Sequence, residues 1–114
     1  MREPLESTIQ KKCMAQLRQW GFWVSKIAAG AYQRAGLPDL VAVGSIDGFS
    51  YVLWIEVKRP GGKLTPLQAR TLREIQEHGG MIAVVHSVDH MAAVLRSMHG
   101  LNLHESLPLH AVKQ

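Results

Sequence analysis

Asp47-Gly48 is the feature that most constrains this chain. The pair stands between two runs rich in β-branched and aromatic residues, Leu40–Val43 and Tyr51–Lys58. Asp-Gly flanked by such runs is a strong two-residue hairpin signal, because both turn residues must take positive φ. If Asp47 and Gly48 are the turn, Ile46 pairs with Phe49, and paired residue numbers sum to 95 throughout the hairpin. Asp39 then stands opposite Glu56. Directly opposed side chains share a face with Cβ atoms ~4.5–5.5 Å apart. Lys58, two residues beyond Glu56, lies on that same face. A longer loop would shift the register by one residue.

The other elements follow from periodicity. Leu5, Ile9, Cys13 and Leu17 recur every fourth residue and predict a helix over about Pro4 to Gln19, stopped by Gly21. Phe22 to Ile27 reads as a strand, and Ala28 to Pro38 as a loop carrying Arg34. Arg59 to Lys63 is a second loop. Thr65 and Pro66 open a helix that runs to about His78, where Gly79-Gly80 ends it. Met81 to His86 is a further strand. Ser87 caps a last helix, with Met91, Val94, Leu95 and Met98 on one face. The order is α-β-β-β-α-β-α, which is an α/β fold with a mixed sheet flanked by helices. Residues 1–100 form one domain. Leu101, Leu103, Leu107 and Leu109 mark 101–114 as a tail, an edge strand or a dimer arm.

Length and composition fit this outline. A 114-residue chain buries about 65% of its unfolded surface, enough for one core and too little for several domains. Apolar residues are 46% and charged residues 19% of the chain, which is globular composition. No apolar run reaches membrane-spanning length, and the start has no signal-peptide core, so a cytoplasmic protein is expected. Thirteen Lys and Arg against nine acids give +4, a balance suited to an anionic partner such as nucleic acid. The single cysteine, Cys13, excludes an internal disulfide and suits a core position.

Two opposed carboxylates repel each other, and one of them must hold a raised pKa. A divalent cation relieves that conflict: Mg²⁺ takes one or two carboxylates plus phosphate oxygens. It lowers the pKa of a bound water and stabilises charge on a phosphoryl oxygen. A lysine alongside can orient the water. The plainer reading is a turn aspartate and an ordinary Glu–Lys strand edge. Against it, Glu56 and Lys58 interrupt an apolar strand, where charge without a role is costly.

Gly36-Leu37-Pro38-Asp39-Leu40, then Ile55-Glu56-Val57-Lys58, then Leu64-Thr65-Pro66-Leu67-Gln68 resemble the virus-type replication-repair nuclease (VRR-NUC) branch of the PD-(D/E)XK superfamily. The resemblance covers roughly residues 3–86. It implies a restriction-endonuclease-like core and a Mg²⁺- or Mn²⁺-dependent endonuclease. Asp39 and Glu56 become metal ligands, helped by the Val57 carbonyl and by Glu6 on the first helix. Lys58 becomes the catalytic lysine and Gln68 a helix residue of the site. The resemblance also implies branched DNA such as Holliday junctions as substrate, a homodimer, and a bacterial or phage source. A DNA-binding module that keeps the fold without catalysis, and a restriction-type nicking enzyme, remain alternatives.

Two of these residues also suit purely structural roles. Thr65-Pro66-Leu67-Gln68 is a capping box, and Glu6 fits any first helical turn. Lys26, Arg34, Arg59 and Lys63 flank the proposed site and form a candidate basic rim for phosphates. Gly61-Gly62-Lys63 is not a P-loop, since its spacing fails and Leu64 replaces Ser or Thr. His86 and His90 are four apart, but a strand end and a helix cap intervene, so the spacing does not require them to meet. His99, His104 and His110 read as polar tail residues. Trp20, Phe22 and Trp23 read as core packing, with a dimer contact as the second reading.

Overall fold

The computed structural model describes residues 5–28 and 34–99. Pro4, the middle of the first loop and the 101–114 segment, with its leucines, His104 and His110, lie outside them. The described elements are α1 (Glu6–Gln19), β1 (Trp23–Lys26), β2 (Leu40–Ile46), β3 (Phe49–Val57), α2 (Pro66–Glu77), β4 (Met81–Val85) and α3 (Val88–Ser97). The order is the expected one. Strand order is β1-β2-β3-β4, antiparallel for the first two pairings and parallel for β3 with β4. Helix α2 makes the crossover that a parallel pair requires.

Asp47 and Gly48 take φ of 54° and 83°, the two positive values of a type I′ turn. Ile46 pairs with Phe49 and Leu40 with Ile55, so the register is the one the turn dictates. β2 and β3 both extend to the turn, further than the apolar runs suggest, because the tight turn keeps the ladder paired to its end.

Alternation along β3 divides the core. Leu53, Ile55 and Val57 join Ile9, Cys13 and Leu17 of α1 and Met91, Val94 and Leu95 of α3 on one face. Leu64, Ala69, Leu72 and Ile82 pack with Trp54 and Val84 on the other, under α2. The even-numbered residues of β3 therefore face α2. Burial pushes the Cys13 thiol up to about 11, so it is an inert core group.

The aromatic cluster splits. Phe22 is buried with α1, whereas Trp23 is 62% exposed on the opposite face, beside Val43 and beyond the reach of α2. Trp20 is partly buried and packs against His99, with ring centroids 5.1 Å apart. Core packing thus describes Phe22 and not Trp23.

Gly44 is required by close approach: a Cβ there would sit 2.5 Å from the Phe22 ring. Gly44→Ala should cost about 2 kcal/mol through overpacking. A fall in Tm of roughly 10 °C is the expected outcome. An unchanged Tm would show that the Phe22 ring moves aside freely.

Candidate active site

Asp39 ends the loop that leads into β2, Glu56 lies near the end of β3, and Lys58 follows it directly. The three meet because the hairpin register brings them level. The Val57 amide donates to Asp39 Oδ2 at 2.8 Å, and the Asp39 carbonyl accepts from Ile27 N at 2.7 Å. These bonds fix Asp39 on both sides. Lys58 N donates to the Val85 carbonyl at 2.9 Å, toward β4. The N–H and C=O of one strand residue point the same way, so the Val57 carbonyl points to the Asp39 side.

Glu56 is 1% exposed and Lys58 8%. Burial first, then the hydrogen bond and the negative charge of Asp39, push the Glu56 carboxyl up to about 9. Lys58 pulls it down, and Glu6 on α1 pushes it slightly further up. Glu6 therefore lies within electrostatic reach of the acid pair. Glu56 Oε2 is buried and has no hydrogen-bond partner. A buried carboxyl oxygen without a partner is costly, and an oxygen-seeking divalent cation is one group that could satisfy it.

A groove of about 410 Å³ opens beside Asp39. Its walls include Arg34, Leu37, Thr65 and Gln68. Gln68 completes the capping box: its Oε1 accepts from Thr65 N at 2.9 Å, and its own backbone N–H donates to Thr65 Oγ1 at 3.2 Å. That pairing fixes the amide orientation and leaves the NH₂ group as the end available to the groove. The structural and site positions of Gln68 thus coexist.

The basic rim is uneven. Lys26 is exposed at the end of β1, opposite Leu40. Arg59 and Lys63 are exposed on the loop after Lys58. Arg34 lines the groove but is tied to Glu74 at 3.0 Å, a partner on α2 that local spacing does not reveal. No sequence motif singles out Gln10, which is buried one turn after Glu6 on α1. His86 and His90 do meet, with rings stacked 6.0 Å apart at 9°. Among the described residues no group of three or more His, Cys, Asp and Glu is gathered closely enough to hold a metal unaided. No described helix is long and apolar enough to cross a membrane.

The raised Glu56 pKa has a consequence for metal-free protein. The unfolded chain releases this proton near the ordinary value of 4.5, and the folded chain near 9. Between those values the folded state binds more protons, so stability is fullest below the lower value and falls as pH rises toward the upper. Wild type in EDTA should lose at least ~5 °C of Tm between about pH 5 and pH 8.5 relative to Glu56→Gln. Parallel profiles for the two proteins would contradict the assigned environment.

Known proteins share this architecture. The family model described as VRR-NUC domain matches residues 3–89. A solved structure titled VRR_NUC domain aligns with a TM-score of 0.70 at 24% identity, covering 82% of this chain and 97% of its own. A second, titled VRR_NUC domain protein, gives 0.67 at 21%, covering 84% and 88%. Archaeoglobus fulgidus Hjc, a Holliday junction resolvase from an archaeal hyperthermophile, gives 0.53 at 21%, covering 71% and 67%. No curated protein matches. With the family model matching residues 3–89 of its 114, and with the fold shared with those solved structures, this chain belongs to the VRR-NUC domain family.

Proposed function

We propose that the protein is a divalent-metal-dependent, structure-selective DNA endonuclease that hydrolyses phosphodiester bonds in branched DNA such as Holliday junctions. The carrying observation is Glu56 Oε2, a buried oxygen without a partner, set against Asp39 and one alternation from Lys58. A pure binding module has no use for a buried acid set beside a second, half-buried one. Family membership and the likeness of the fold to a Holliday junction resolvase support the substrate class.

Asp39, Glu56 and the Val57 carbonyl would hold Mg²⁺ or Mn²⁺, with Glu6 on α1 adding negative charge nearby and not a third carboxylate bond. The donor set is all oxygen, which suits these hard cations. When bound, the cation supplies Lewis-acid stabilisation and a more acidic water. Lys58 does the rest from the same face. Its ammonium donates a hydrogen bond that orients the attacking water, and its positive charge offsets charge building on the phosphate. The Gln68 NH₂, which its capping bond leaves toward the groove, would donate to a phosphate oxygen or to that water. Lys26, Arg59 and Lys63 hold flanking phosphates, which position the strand without reading its sequence. Two copies related by a two-fold axis would cut two strands of a junction symmetrically.

Cleavage of an end-labelled four-way junction, beside a flap and a linear duplex of matched sequence, tests the substrate class. Paired symmetric cuts confined to the junction are expected. Cutting of one defined duplex sequence, with no preference for branches, would select a restriction-type enzyme instead.

A further inference from the structure

His86 stands one step beyond the last β3–β4 pair. Val57 is level with Val85, so His86 is level with Lys58. Its ring reaches forward to the loop that follows Lys58, where Nε2 lies 3.2 Å from the Gly62 carbonyl. A carbonyl only accepts, so Nε2 carries a proton and donates. That loop is a tight turn: the Gly62 amide donates to the Arg59 carbonyl at 2.8 Å, with Pro60 and Gly61 as its central residues. Gly61 has φ of 77°, which with Pro60 before it makes a type II turn. Gly62 is seated closely, since a Cβ there would fall 2.9 Å from the Arg59 carbonyl oxygen.

The His86 ring is itself held from behind. Its backbone amide donates to His90 Nδ1 at 3.3 Å, and the two rings stack. His90 is in turn set by the α3 cap, where its amide donates to Ser87 Oγ at 3.0 Å. A run of hydrogen bonds therefore leads from the start of α3 through His90 and His86 to the turn that bears Arg59 and Lys63.

We propose that His86 is a positioning residue: by holding the Gly62 carbonyl it fixes the Arg59–Lys63 turn so that both cations meet the DNA backbone beside Lys58. This rests on the nuclease reading only for the identity of the partner; the locking of the turn does not depend on it. A loose turn would have to give up conformational freedom on binding, and His86 removes that cost in advance.

Two variants of the full chain test this. His86→Phe keeps a ring for the stack and loses the donor. His86→Gln keeps an amide N–H that can reach the same carbonyl. The first readout needs no DNA: hydrogen exchange at the Gly62 amide should quicken about tenfold in His86→Phe and return toward wild type in His86→Gln. The second is binding of a labelled four-way junction in EDTA over a range of salt. His86→Phe should bind about tenfold more weakly, with the slope of log K against log salt reduced by about one to two. His86→Gln should restore both. Unchanged exchange at Gly62 in His86→Phe would overturn the proposal whatever the DNA result. A loosened turn with unaltered junction binding and slope would overturn it too. Wild type that fails to bind DNA at all, with the turn loosened in the variant, would overturn the nuclease reading and leave only the lock.

Discussion

Replacing Glu56 by glutamine should lower junction cleavage in Mg²⁺ on the order of 10³-fold, a barrier increase of about 4 kcal/mol. The amide nearly matches the carboxyl in shape, so the fold has no reason to change. The charge that would bind the cation is gone. The same variant should be at least as stable as wild type without metal at neutral pH, because folding wild type there requires the buried Glu56 carboxyl to take up a proton and the amide requires none. Millimolar Mn²⁺ should raise the Tm of wild type, and the variant should lose most of that rise, since only a folded site with its ligands would gain from the metal. Loss of cutting with loss of stability would instead mark Glu56 as a structural residue. Retained cutting would remove it from the chemistry.

Lys58→Met should cut cleavage by about 10²- to 10³-fold while leaving the Mn²⁺ effect on Tm in place. Methionine keeps much of the aliphatic stem that a residue only 8% exposed must pack. It removes the ammonium that would orient water and offset phosphate charge. It also removes the neighbour that pulls the Glu56 pKa down, so metal-free Glu56 should hold its proton more firmly. The two variants therefore separate two roles: one loses metal and chemistry together, the other loses chemistry alone. Equal loss of the Mn²⁺ response in Lys58→Met would show that the lysine serves the site only through packing.

Much of this site is legible in the sequence because one short-range signal governs a long-range one. A type I′ turn allows no slack, so Asp47-Gly48 sets the pairing of residues eight positions away on each strand. Asp39, Glu56 and Lys58 then fall into place by counting. The capping box around Thr65 and Gln68 is legible for the same reason, since all of its atoms lie within four residues. Glu6 is not. Its place near Glu56 depends on how α1 crosses the end of the sheet, and only the family resemblance points to it.

The features that escape the sequence share this dependence on tertiary placement. Phe22 and Trp23 look alike in composition, but period-two alternation sends one into the core and the other to a face that α2 does not cover. Arg34 reads as a free cation until α2 brings Glu74 to it across forty residues. The His86–His90 stack is set by the exit of β4 and the Ser87 cap, and spacing rules for a continuous helix do not apply there.

Metal-dependent cleavage by wild-type protein tests the proposed chemistry most directly. A labelled four-way junction is incubated with Mg²⁺, with Mn²⁺ and with EDTA, and its products are separated by size. Discrete fragments in either metal and intact DNA in EDTA are the expected result. Tight binding of the junction with every strand intact in both metals would contradict it, and would leave the burial of Glu56 beside Asp39 as a cost with no chemistry to explain it.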